Sequence, residues 1–343
     1  MKRLKVALET QFAVGMATGL GVYAKSLAAA LRARDDVDVV ELSDPRFDVW
    51  RFDRRVWWDQ VRAPALARRS GADVVHFTGG TLPLRARRPA VLTLHDLVWL
   101  RGANRGRFYT RWYFGALQKQ LARGADALVV DTECARSDVA EGIGVEAGRI
   151  FVAGAGIDEA FLGLTRRPAD RPFVLCVGTV EERKDLATAV MALRRIEGLA
   201  LVSVGPLTPY ADKVRAAARA CGVDDRVELR GYVDQAVLYD LYARAALLAF
   251  PSRYEGFGLP VLQALGCGLP VAAARNPVVE EVAGDCAWYA PLGDAAALAK
   301  AFEAILRGGD AVNVRTARGR DRAKGFTWAS VARRMVDVYR SVL

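Results

Sequence analysis

Cysteine and histidine are scarce in this sequence. Its 343 residues contain two histidines and five cysteines, at Cys134, Cys176, Cys221, Cys267 and Cys286. The number of cysteines is odd, and no two of them are close together in the sequence. This pattern favours free thiols in a reducing compartment over disulfide bonds, and no His/Cys cluster has the spacing of zinc ligands.

Long apolar runs are also missing. No segment reaches the roughly 18–20 consecutive apolar residues that span a bilayer. The first residues, 1–6, lead through charged side chains to a glycine-rich segment and do not resemble a signal peptide. We therefore expect neither an integral membrane protein nor a secreted one, and we expect a cytoplasmic location.

The composition is that of a globular protein, with 52% hydrophobic and 26% charged residues. The length suits two domains. The net charge is +10, and most of it is N-terminal: residues 1–167 hold 26 Lys and Arg against 19 Asp and Glu, and residues 168–343 hold 23 against 20. Such a charge favours anionic partners, which include phosphorylated ligands, nucleic acids and acidic membrane surfaces.

Short apolar, β-branched runs alternate with amphipathic stretches along the whole chain. This alternation predicts parallel sheets with helices on both faces. The predicted strands are Leu4–Leu8, Val37–Leu42, Asp73–Phe77, Ala90–Leu94, Ala127–Val130, Ile150–Val152, Phe173–Val177, Ala200–Val204, Val227–Leu229, Leu247–Phe250 and Val271–Ala274. The clearest predicted helices are Val22–Arg34, Leu186–Ile196, Ala211–Cys221 and Ala295–Leu306.

The alternation breaks at residues 163–168 and then starts again. We therefore predict an α/β protein of two doubly wound, Rossmann-like domains that face each other, spanning residues 1–165 and 166–327. A helix at 328–343 is expected to cross back onto the first domain. Ligands of open α/β sheets lie beyond the carboxyl ends of the strands, so we expect the polar residues there to line one cleft between the domains.

One segment, residues 251–268, stands out among the strand ends. A strand runs into Glu255, then into a loop with Gly256 and Gly258, and Pro260 marks the first turn of a helix. The backbone N–H groups of such a loop and helix start can bind phosphate or hydroxyl oxygens. Gln263, about one turn into the helix, is positioned to face the same ligand as Glu255. An ordinary strand–turn–helix connection has the same local pattern.

Several segments in order resemble those of the retaining glycosyltransferase family 4, over nearly the whole chain. They are Thr18–Tyr23, Leu94–Leu97, Val177–Thr179 with Arg183 and Lys184, Arg230–Val233, Glu255–Gln263 and Glu281–Gly284. The resemblance implies a GT-B fold, with an N-terminal acceptor-binding domain and a C-terminal domain that binds a nucleotide sugar. Two positions depart from the family: Gln263 replaces a Glu that usually binds ribose, and Glu280 replaces a common Pro.

The resemblance also implies roles for individual residues. Glu255, Arg183, Lys184 and His95 are the predicted catalytic residues; Arg183 and Lys184 would bind the diphosphate. The predicted donor-binding residues are Gly19, Gly21, Gly178, Val233, Gly256, Phe257, Gly258, Leu259 and Gln263, and His76 is the predicted acceptor-binding residue. The residues alone leave other interpretations open: a solvated turn at 181–185, core histidines at 76 and 95, and a helix start capped by Thr18.

Neither a metal nor a cofactor is expected. The one notable Asp-x-Asp sequence, Asp36-Val37-Asp38, lies at a predicted strand entrance, which is the wrong end for a ligand. Two N-terminal stretches, 50–58 and 99–123, combine arginines with aromatic residues. Amphipathic helices with aromatic residues turned inward are the favoured interpretation. Contact with anionic lipid or a lipid-linked acceptor at the cytoplasmic membrane face also fits these stretches.

The expected activity is transfer of a hexose from a nucleotide-diphosphate sugar to a hydroxyl of a glycan or lipid-linked saccharide, in polysaccharide biosynthesis. Mannose from GDP-mannose is the first expectation. The alternatives are a UDP- or dTDP-sugar transferase for glucose or rhamnose, and a non-catalytic subunit that binds a sugar nucleotide. Only the net charge supports a nucleic-acid-binding function. A nicotinamide-dependent dehydrogenase is disfavoured because the segment with Gly19 and Gly21 has no third glycine of the dinucleotide-binding motif.

Overall fold

The computed structural model describes residues 3–15, 19–97 and 112–343. The chain divides into two compact units, one of Met1–Gly156 with Phe326–Leu343 and the other of Ile157–Gly325. The first unit ends before the predicted linker at 163–168. The reason lies in Phe161, whose ring packs edge-on against Tyr239 and Tyr242 of the second unit.

The first unit is built on a six-stranded parallel sheet. Its strands are β1 (Leu4–Glu9), β2 (Val37–Leu42), β3 (Val74–Phe77), β4 (Ala90–Thr93), β5 (Ala127–Val130) and β6 (Ile150–Val152), in the order β2-β1-β3-β4-β5-β6. Every residue of β3, β4 and β5 is buried. Continuous burial is what a parallel sheet covered on both faces requires, and it explains why these strands are mostly apolar.

Short helices accompany this sheet. They are α1 (Gly19–Arg32), α2 (Phe52–Trp57), α3 (Ala63–Ser70), α4 (Gln118–Arg123) and α5 (Glu133–Val139). Turns of π-helix at Trp58–Arg62, Trp112–Leu117 and Ala140–Gly144 adjoin α2, α4 and α5, and 3₁₀ turns lie at Gln11–Ala13 and Ala147–Arg149. The core between these layers includes the fully buried rings of Phe12, Trp58 and Phe77.

The second unit is also built on a six-stranded parallel sheet. Its strands are β7 (Phe173–Val177), β8 (Ala200–Val204), β9 (Val227–Leu229), β10 (Leu247–Phe250), β11 (Val271–Ala274) and β12 (Ala287–Ala290), in the order β12-β11-β10-β7-β8-β9. Its helices are α6 (Glu159–Leu162), α7 (Leu186–Leu193), α8 (Tyr210–Cys221), α9 (Gln235–Arg244), α10 (Leu259–Cys267), α11 (Pro277–Ala283), α12 (Ala295–Leu306) and α13 (Asp310–Ala323). The 3₁₀ turns are Glu182–Lys184, Asp224–Arg226 and Gly284–Cys286.

Side-chain caps set the start of several helices in this unit. The carboxylates of Asp234 and Asp294 accept the backbone N–H groups of Val237 and Ala297, and the amide oxygen of Asn276 accepts that of Val278. Each cap satisfies an N–H group that the helix leaves unpaired, which contributes about 1 kcal/mol.

The last helix, α14 (Trp328–Ser341), belongs to the first unit and packs on α1. The guanidinium of Arg334, in this helix, donates to the carbonyl of Ala153, and the ring of Trp328 contacts that of Tyr23 edge-on. The C-terminal helix of the structure, Trp328–Ser341, therefore lies in the same compact unit as the N-terminal residues.

All eleven predicted strands are present, and β12 is an additional one. Within the described ranges, no helix combines the length and the hydropathy needed to cross a membrane.

Candidate active site

Two neighbouring strands of the second unit end beside each other and carry the predicted charged residues. The strands β7 and β10 pair directly, with Leu247 opposite Val174. The loop after β7 runs from Gly178 to Lys184, and the loop after β10 runs from Pro251 to Gly258. Because parallel strands end at the same edge of a sheet, both loops meet at the carboxyl edge, where α/β proteins bind ligands.

The buried carboxylate of Glu255 joins the two loops. Its Oε1 lies 2.6 Å from Nζ of Lys184, and its Oε2 lies 3.2 Å from Nη1 of Arg183. Burial raises the pKa of Glu255, but the charges of Lys184 and Arg183, with hydrogen bonds from Lys184 and Ser252, outweigh burial and leave the pKa below its ordinary value. Glu255 is therefore ionised at neutral pH and carries one negative charge against two positive ones.

Arg183 has further partners in both loops. Its Nε lies 2.8 Å from Oε1 of Glu181, and its Nη1 donates to the carbonyl of Tyr254 at 3.0 Å. These contacts exclude the solvated turn that the sequence left open for residues 181–185. The loop is a 3₁₀ turn whose two basic side chains point into the protein at a sheet edge.

Glycines bring the loops of β7, β8 and β9 together. The N–H of Gly178 donates to Val204, and the N–H of Gly205 donates to Gly231. A Cβ on Gly205 would lie 2.2 Å from the carbonyl oxygen of Gly178, so only glycine fits there. Beside Gly178, a cavity of about 20 Å³ is lined by Lys184, Ser203 and Ser252 among others, which is enough room for one water molecule.

The loop after β10 ends as predicted. Gly258 has a φ of +93° and precedes α10, whose first turn contains Pro260. Residues Glu255 to Gly258 are buried, and Leu259 is partly exposed. The sequence interpretation of 251–268 as a glycine loop that follows a strand and leads into a helix is therefore correct. Ligand contacts by Gly256, Phe257, Gly258 and Leu259 stay predictions.

Gln263 has a partner that the sequence did not indicate. The buried hydroxyl of Tyr242, on α9, lies 2.9 Å from Oε1 of Gln263. This hydrogen bond fixes the amide on the partly exposed side of α10. Val233 is partly exposed at the loop between β9 and α9, beside the exposed ring of Tyr232.

In the first unit, His95 forms a pair with Asp131. The two residues follow the neighbouring strands β4 and β5, and His95 Nδ1 lies 2.7 Å from Oδ2 of Asp131. Burial lowers the pKa of His95, but Asp131, Asp96 and the backbone of Thr78 outweigh burial, so the pKa is raised. Asp131 was missed from the sequence, although it directly follows the apolar strand β5, where polar ligand-binding residues of α/β sheets are expected.

His76 corrects a prediction. It lies inside β3 with no exposed surface, its Nδ1 2.8 Å from the hydroxyl of Tyr339 and its Nε2 2.6 Å from that of Thr93. Burial, with the nearby His95, lowers its pKa to about 3. Both nitrogens are occupied inside the core, so this arrangement offers no contact to an acceptor, and His76 is a structural residue that ties α14 to the sheet.

The N-terminal glycines differ from each other. A Cβ on Gly21 would lie 2.2 Å from the carbonyl oxygen of Phe12, so Gly21 lets α1 pack closely on the preceding turn. Gly19 is exposed at the start of α1 and has open space around it. Thr18, the predicted cap, lies outside the described residues. Phosphate contacts by Gly19 and Gly21 stay predictions.

A second carboxylate that the sequence did not single out is Glu9, at the end of β1. It is fully buried and accepts hydrogen bonds from Trp58 Nε1 and from the backbone N–H groups of Thr78 and Gly79. Burial, with the nearby charge of Asp59, raises its pKa to about 7. Asp59 is itself buried and paired with Arg55.

The first aromatic and basic stretch is divided between core and surface. Trp58 is buried, whereas the rings of Trp50 and Trp57 are 50% and 43% exposed beside the exposed Arg51 and Arg54. Of the second stretch, residues 99–111 lie outside the described part of the chain. Trp112, the first described residue after that gap, is 53% exposed.

Among the described residues, no group of three or more His, Cys, Asp or Glu side chains is arranged to hold a metal ion. The Asp-x-Asp sequence is engaged otherwise: Asp36 pairs with Arg34 and Arg340.

Comparison with known families identifies both halves of the chain. The family model described as Glycosyltransferase Family 4 matches residues 17–161, and the one described as Glycosyl transferases group 1 matches residues 171–308. The chain belongs to the family 4 and group 1 glycosyltransferases. The charged cluster at Glu255 therefore lies in the group 1 half of a glycosyltransferase, and the His95–Asp131 pair lies in the family 4 half.

Two curated glycosyltransferases are similar to it in sequence. A D-inositol 3-phosphate glycosyltransferase of Xylanimonas cellulosilytica is 32% identical over 254 residues, which cover 65% of this chain and 58% of that protein. The O-antigen chain mannosyltransferase B of Escherichia coli is 26% identical over 298 residues, which cover 81% and 77%. The match thus spans only about three fifths of the first relative's length.

Solved structures confirm the fold class. Sucrose-phosphate synthase from Thermosynechococcus elongatus superposes with a TM-score of 0.77 at 22% identity, over 99% of both chains. The Anabaena protein HepE, in complex with UDP and glucose, superposes with a TM-score of 0.76 at 17% identity, over 99% of this chain and 100% of that one. The two parallel sheets and these structural neighbours show that the chain has the GT-B fold, as predicted.

Proposed function

We propose that the protein is a glycosyltransferase that moves a hexose from a nucleotide-diphosphate sugar to a hydroxyl of a glycan or lipid-linked saccharide. The observation that carries the proposal is the contact of Lys184 and Arg183 with the buried Glu255 at the carboxyl edge of the second sheet. Two fixed cations and a carboxylate at such an edge suit a ligand with both a diphosphate and sugar hydroxyls.

The chemistry follows from these charges. When the bond between the sugar and the diphosphate breaks, negative charge grows on the leaving phosphate oxygen. Arg183 and Lys184, aimed at that oxygen, stabilise the transition state more than the ground state. Glu255 and the 256–259 backbone hold the sugar hydroxyls, and Gln263 holds the ribose.

We propose retention of configuration. The acceptor oxygen bonds to the anomeric carbon on the face that the diphosphate leaves, through an oxocarbenium-like state, and the departing phosphate takes the acceptor's proton. We also propose that the reaction needs no metal, with the two cations supplying the charge that a divalent ion supplies elsewhere. Product stereochemistry by NMR and activity in the presence of a chelator test these two points.

For the donor, GDP-mannose is the first candidate, because an O-antigen chain mannosyltransferase aligns with 81% of this chain. A UDP-sugar is the alternative supported by the structural similarity to HepE, which was solved with UDP and glucose. A dTDP-sugar such as dTDP-rhamnose stays in the panel to be tested.

For the acceptor, we propose a lipid-linked saccharide at an anionic membrane surface. The exposed rings of Trp50 and Trp57 beside Arg51 and Arg54 suit an interface where aromatic rings meet anionic headgroups. Sedimentation with vesicles, with and without anionic lipid, tests this; the double variant Trp50→Ala, Trp57→Ala should lose most of the binding.

A second candidate is a subunit that binds a sugar nucleotide without turnover. It is favoured by Gln263, which replaces an acidic residue and is held by Tyr242. An amide donates and accepts hydrogen bonds, so we expect altered affinity for the donor and not loss of function.

One experiment separates the candidates. The protein is screened by thermal shift against GDP-, UDP- and dTDP-sugars, and release of the nucleoside diphosphate is then measured with and without acceptor. A transferase shows stabilisation by one nucleotide class and acceptor-dependent release. Stabilisation without release, also in the Gln263→Glu variant, supports the binding subunit. No stabilisation by any of the three classes overturns both.

A further inference from the structure

The turn that follows the basic pair has an unusual backbone. Asp185 has a φ of +47° and a ψ of +40°, and no other non-glycine residue in the described part of the chain has a positive φ. The left-handed region is strained for residues with a Cβ, although Asp tolerates it better than most. Asp185 is also buried, at 5% exposure.

This conformation ends one turn and starts the next helix. The N–H of Asp185 donates to the carbonyl of Glu182, and its own carbonyl accepts from Thr188 in α7. The reversal at Asp185 lets the 3₁₀ turn Glu182–Lys184 stop abruptly. Lys184 consequently folds back, so that its side chain packs 3.3 Å from the position of a Cβ on Gly178 and reaches Glu255.

Arg253 holds the strained turn from the other loop. Its guanidinium lies 2.8 Å from the carboxylate of Asp185, and its backbone N–H donates to the carbonyl of Arg183 at 2.8 Å. Arg183 in turn donates to Tyr254. The two loops are thus joined on both sides of the contact between the basic pair and Glu255.

We propose that Asp185 and Arg253 are positioning residues, which hold Arg183 and Lys184 for the diphosphate of the donor. Glu255 offsets only part of the repulsion between the two adjacent cations, and a loop free to relax would move them apart. The ion pair of Asp185 with Arg253 opposes this, so that both cations stay aimed at one place before the ligand arrives. This inference rests on the proposed function.

If the ion pair of Asp185 with Arg253 only stabilised the fold, different results would be expected. Its loss would lower the melting temperature and leave the affinity for the diphosphate unchanged. The guanidinium of Arg253 is 55% exposed, so its charge alone contributes little to stability. The decisive readout is therefore the affinity for the diphosphate group, compared with that for the nucleoside alone.

The test uses the full chain and isothermal titration calorimetry with GDP, UDP and dTDP, and with guanosine, uridine and thymidine. The variants are Asp185→Asn, which keeps the tolerance for positive φ and removes the charge, Asp185→Ala, which removes both, Arg253→Ala and Arg253→Lys. Arg195→Ala, in the exposed turn that follows α7, is the matched control.

We expect Asp185→Ala and Arg253→Ala to weaken binding of the nucleoside diphosphate about tenfold or more and to change nucleoside binding less than about twofold. Asp185→Asn and Arg253→Lys should fall between these variants and the wild type. In the double variant Asp185→Asn, Arg253→Ala, the two losses should not add, since both remove one contact.

Equal affinities in the wild type, Asp185→Asn and Arg253→Ala, whatever their melting temperatures, overturn the positioning role and leave the proposed function standing. If the wild type binds none of the three diphosphates, the proposed function fails and this inference fails with it. If Asp185→Ala does not fold, Asp185→Asn and Arg253→Lys decide the outcome, once their circular dichroism matches the wild type.

Discussion

The ammonium group of Lys184 lies 2.6 Å from the carboxylate of Glu255, across two loops that are 71 residues apart in sequence. The carboxylate is buried and ionised, and Arg183 reaches its other oxygen. In the free protein this carboxylate partly neutralises the two cations. A diphosphate that binds to Arg183 and Lys184 brings a second anion next to Glu255. Substitutions that change the charge of these three residues should therefore change how tightly the diphosphate binds.

Neutralising Glu255 should separate binding from transfer. In Glu255→Gln, Arg183 and Lys184 lose their internal counter-ion, so the affinity for the nucleoside diphosphate should stay equal or rise up to about tenfold. Transfer should fall about a hundredfold, because the group that holds the sugar is altered. Calorimetry and a release assay measure the two effects, with the exposed Glu303→Gln as control; full transfer by Glu255→Gln contradicts the account.

The two cations should act chiefly on the chemical step. Lys184→Ala and Arg183→Ala should each lower kcat/KM by about 10²–10³, since each removes a charge from the leaving diphosphate. Lys184→Arg should recover little, because a planar guanidinium does not reproduce a compact ammonium on a buried carboxylate. Steady-state kinetics with the identified donor check this, and a change of less than about threefold in both alanine variants would count against it.

The two histidines give a direct electrostatic test. Asp131 raises the pKa of His95 against the effect of burial, so in Asp131→Asn burial should dominate and the pKa of His95 should fall below its ordinary value. NMR titration is simple here, since the sequence has only these two imidazoles and His76, with a pKa of about 3, stays neutral above pH 5. An unchanged His95 titration in the variant contradicts the pairing.

Glu9 should make stability depend on pH in the acid range. Its pKa is about 7 in the folded chain and near 4.5 when unfolded, so the folded state binds its proton more tightly. Tighter proton binding by Glu9 in the folded state adds on the order of 3 kcal/mol to the free energy of unfolding below about pH 4.5. This stabilisation is lost as the pH rises to about 7.

The matched variant for this effect is Glu9→Gln, which cannot titrate. The free energy of unfolding of the wild type minus that of Glu9→Gln should decrease as pH rises from 4.5 to 7. The test is this change with pH and not the size of the difference at any one pH. Urea unfolding at several pH values measures it. A difference that stays constant across this window, or grows, contradicts the assignment.

Gly205 should be intolerant of any side chain. A Cβ there meets the backbone of Gly178 at 2.2 Å, and the φ of +135° is unfavourable for other residues. Gly205→Ala should lower the free energy of unfolding by more than about 2 kcal/mol and weaken binding of the diphosphate, because it displaces the loop that carries Lys184. Gly148→Ala, where nothing lies within 4 Å, is the control for thermal unfolding; equal melting temperatures for the two variants contradict this role.

Most of the fold follows from local sequence. The short β-branched runs between amphipathic stretches predicted eleven strands, all of which are present, because buried parallel strands are mostly apolar. The strand Ala287–Ala290 was missed because two alanines and two aromatic residues carry little β-branched signal, and its pairing with β11 is what makes it a strand. Helix α1 begins before the predicted Val22 because Gly21 allows close packing, a tertiary effect.

The sequence identified the charged residues of the candidate site, but it did not predict which of them contact one another. The motif order placed Arg183, Lys184 and Glu255 at strand ends, yet their direct pairing depends on β7 and β10 being neighbours, which the chain order does not reveal. The two histidines differ in position: β3 continues through His76 to Phe77, whereas β4 ends at Thr93, two residues before His95. Where a strand ends depends on its partners in the sheet.

A crystal structure of the protein with the nucleotide-sugar donor, or its nucleoside diphosphate, would be the most direct test of the central claim. We predict that the diphosphate oxygens lie within about 3.2 Å of Arg183 Nη1 or Nη2 and of Lys184 Nζ, with the sugar against Glu255. A diphosphate bound elsewhere, with the contacts of Glu255 to both cations unchanged, would contradict the account.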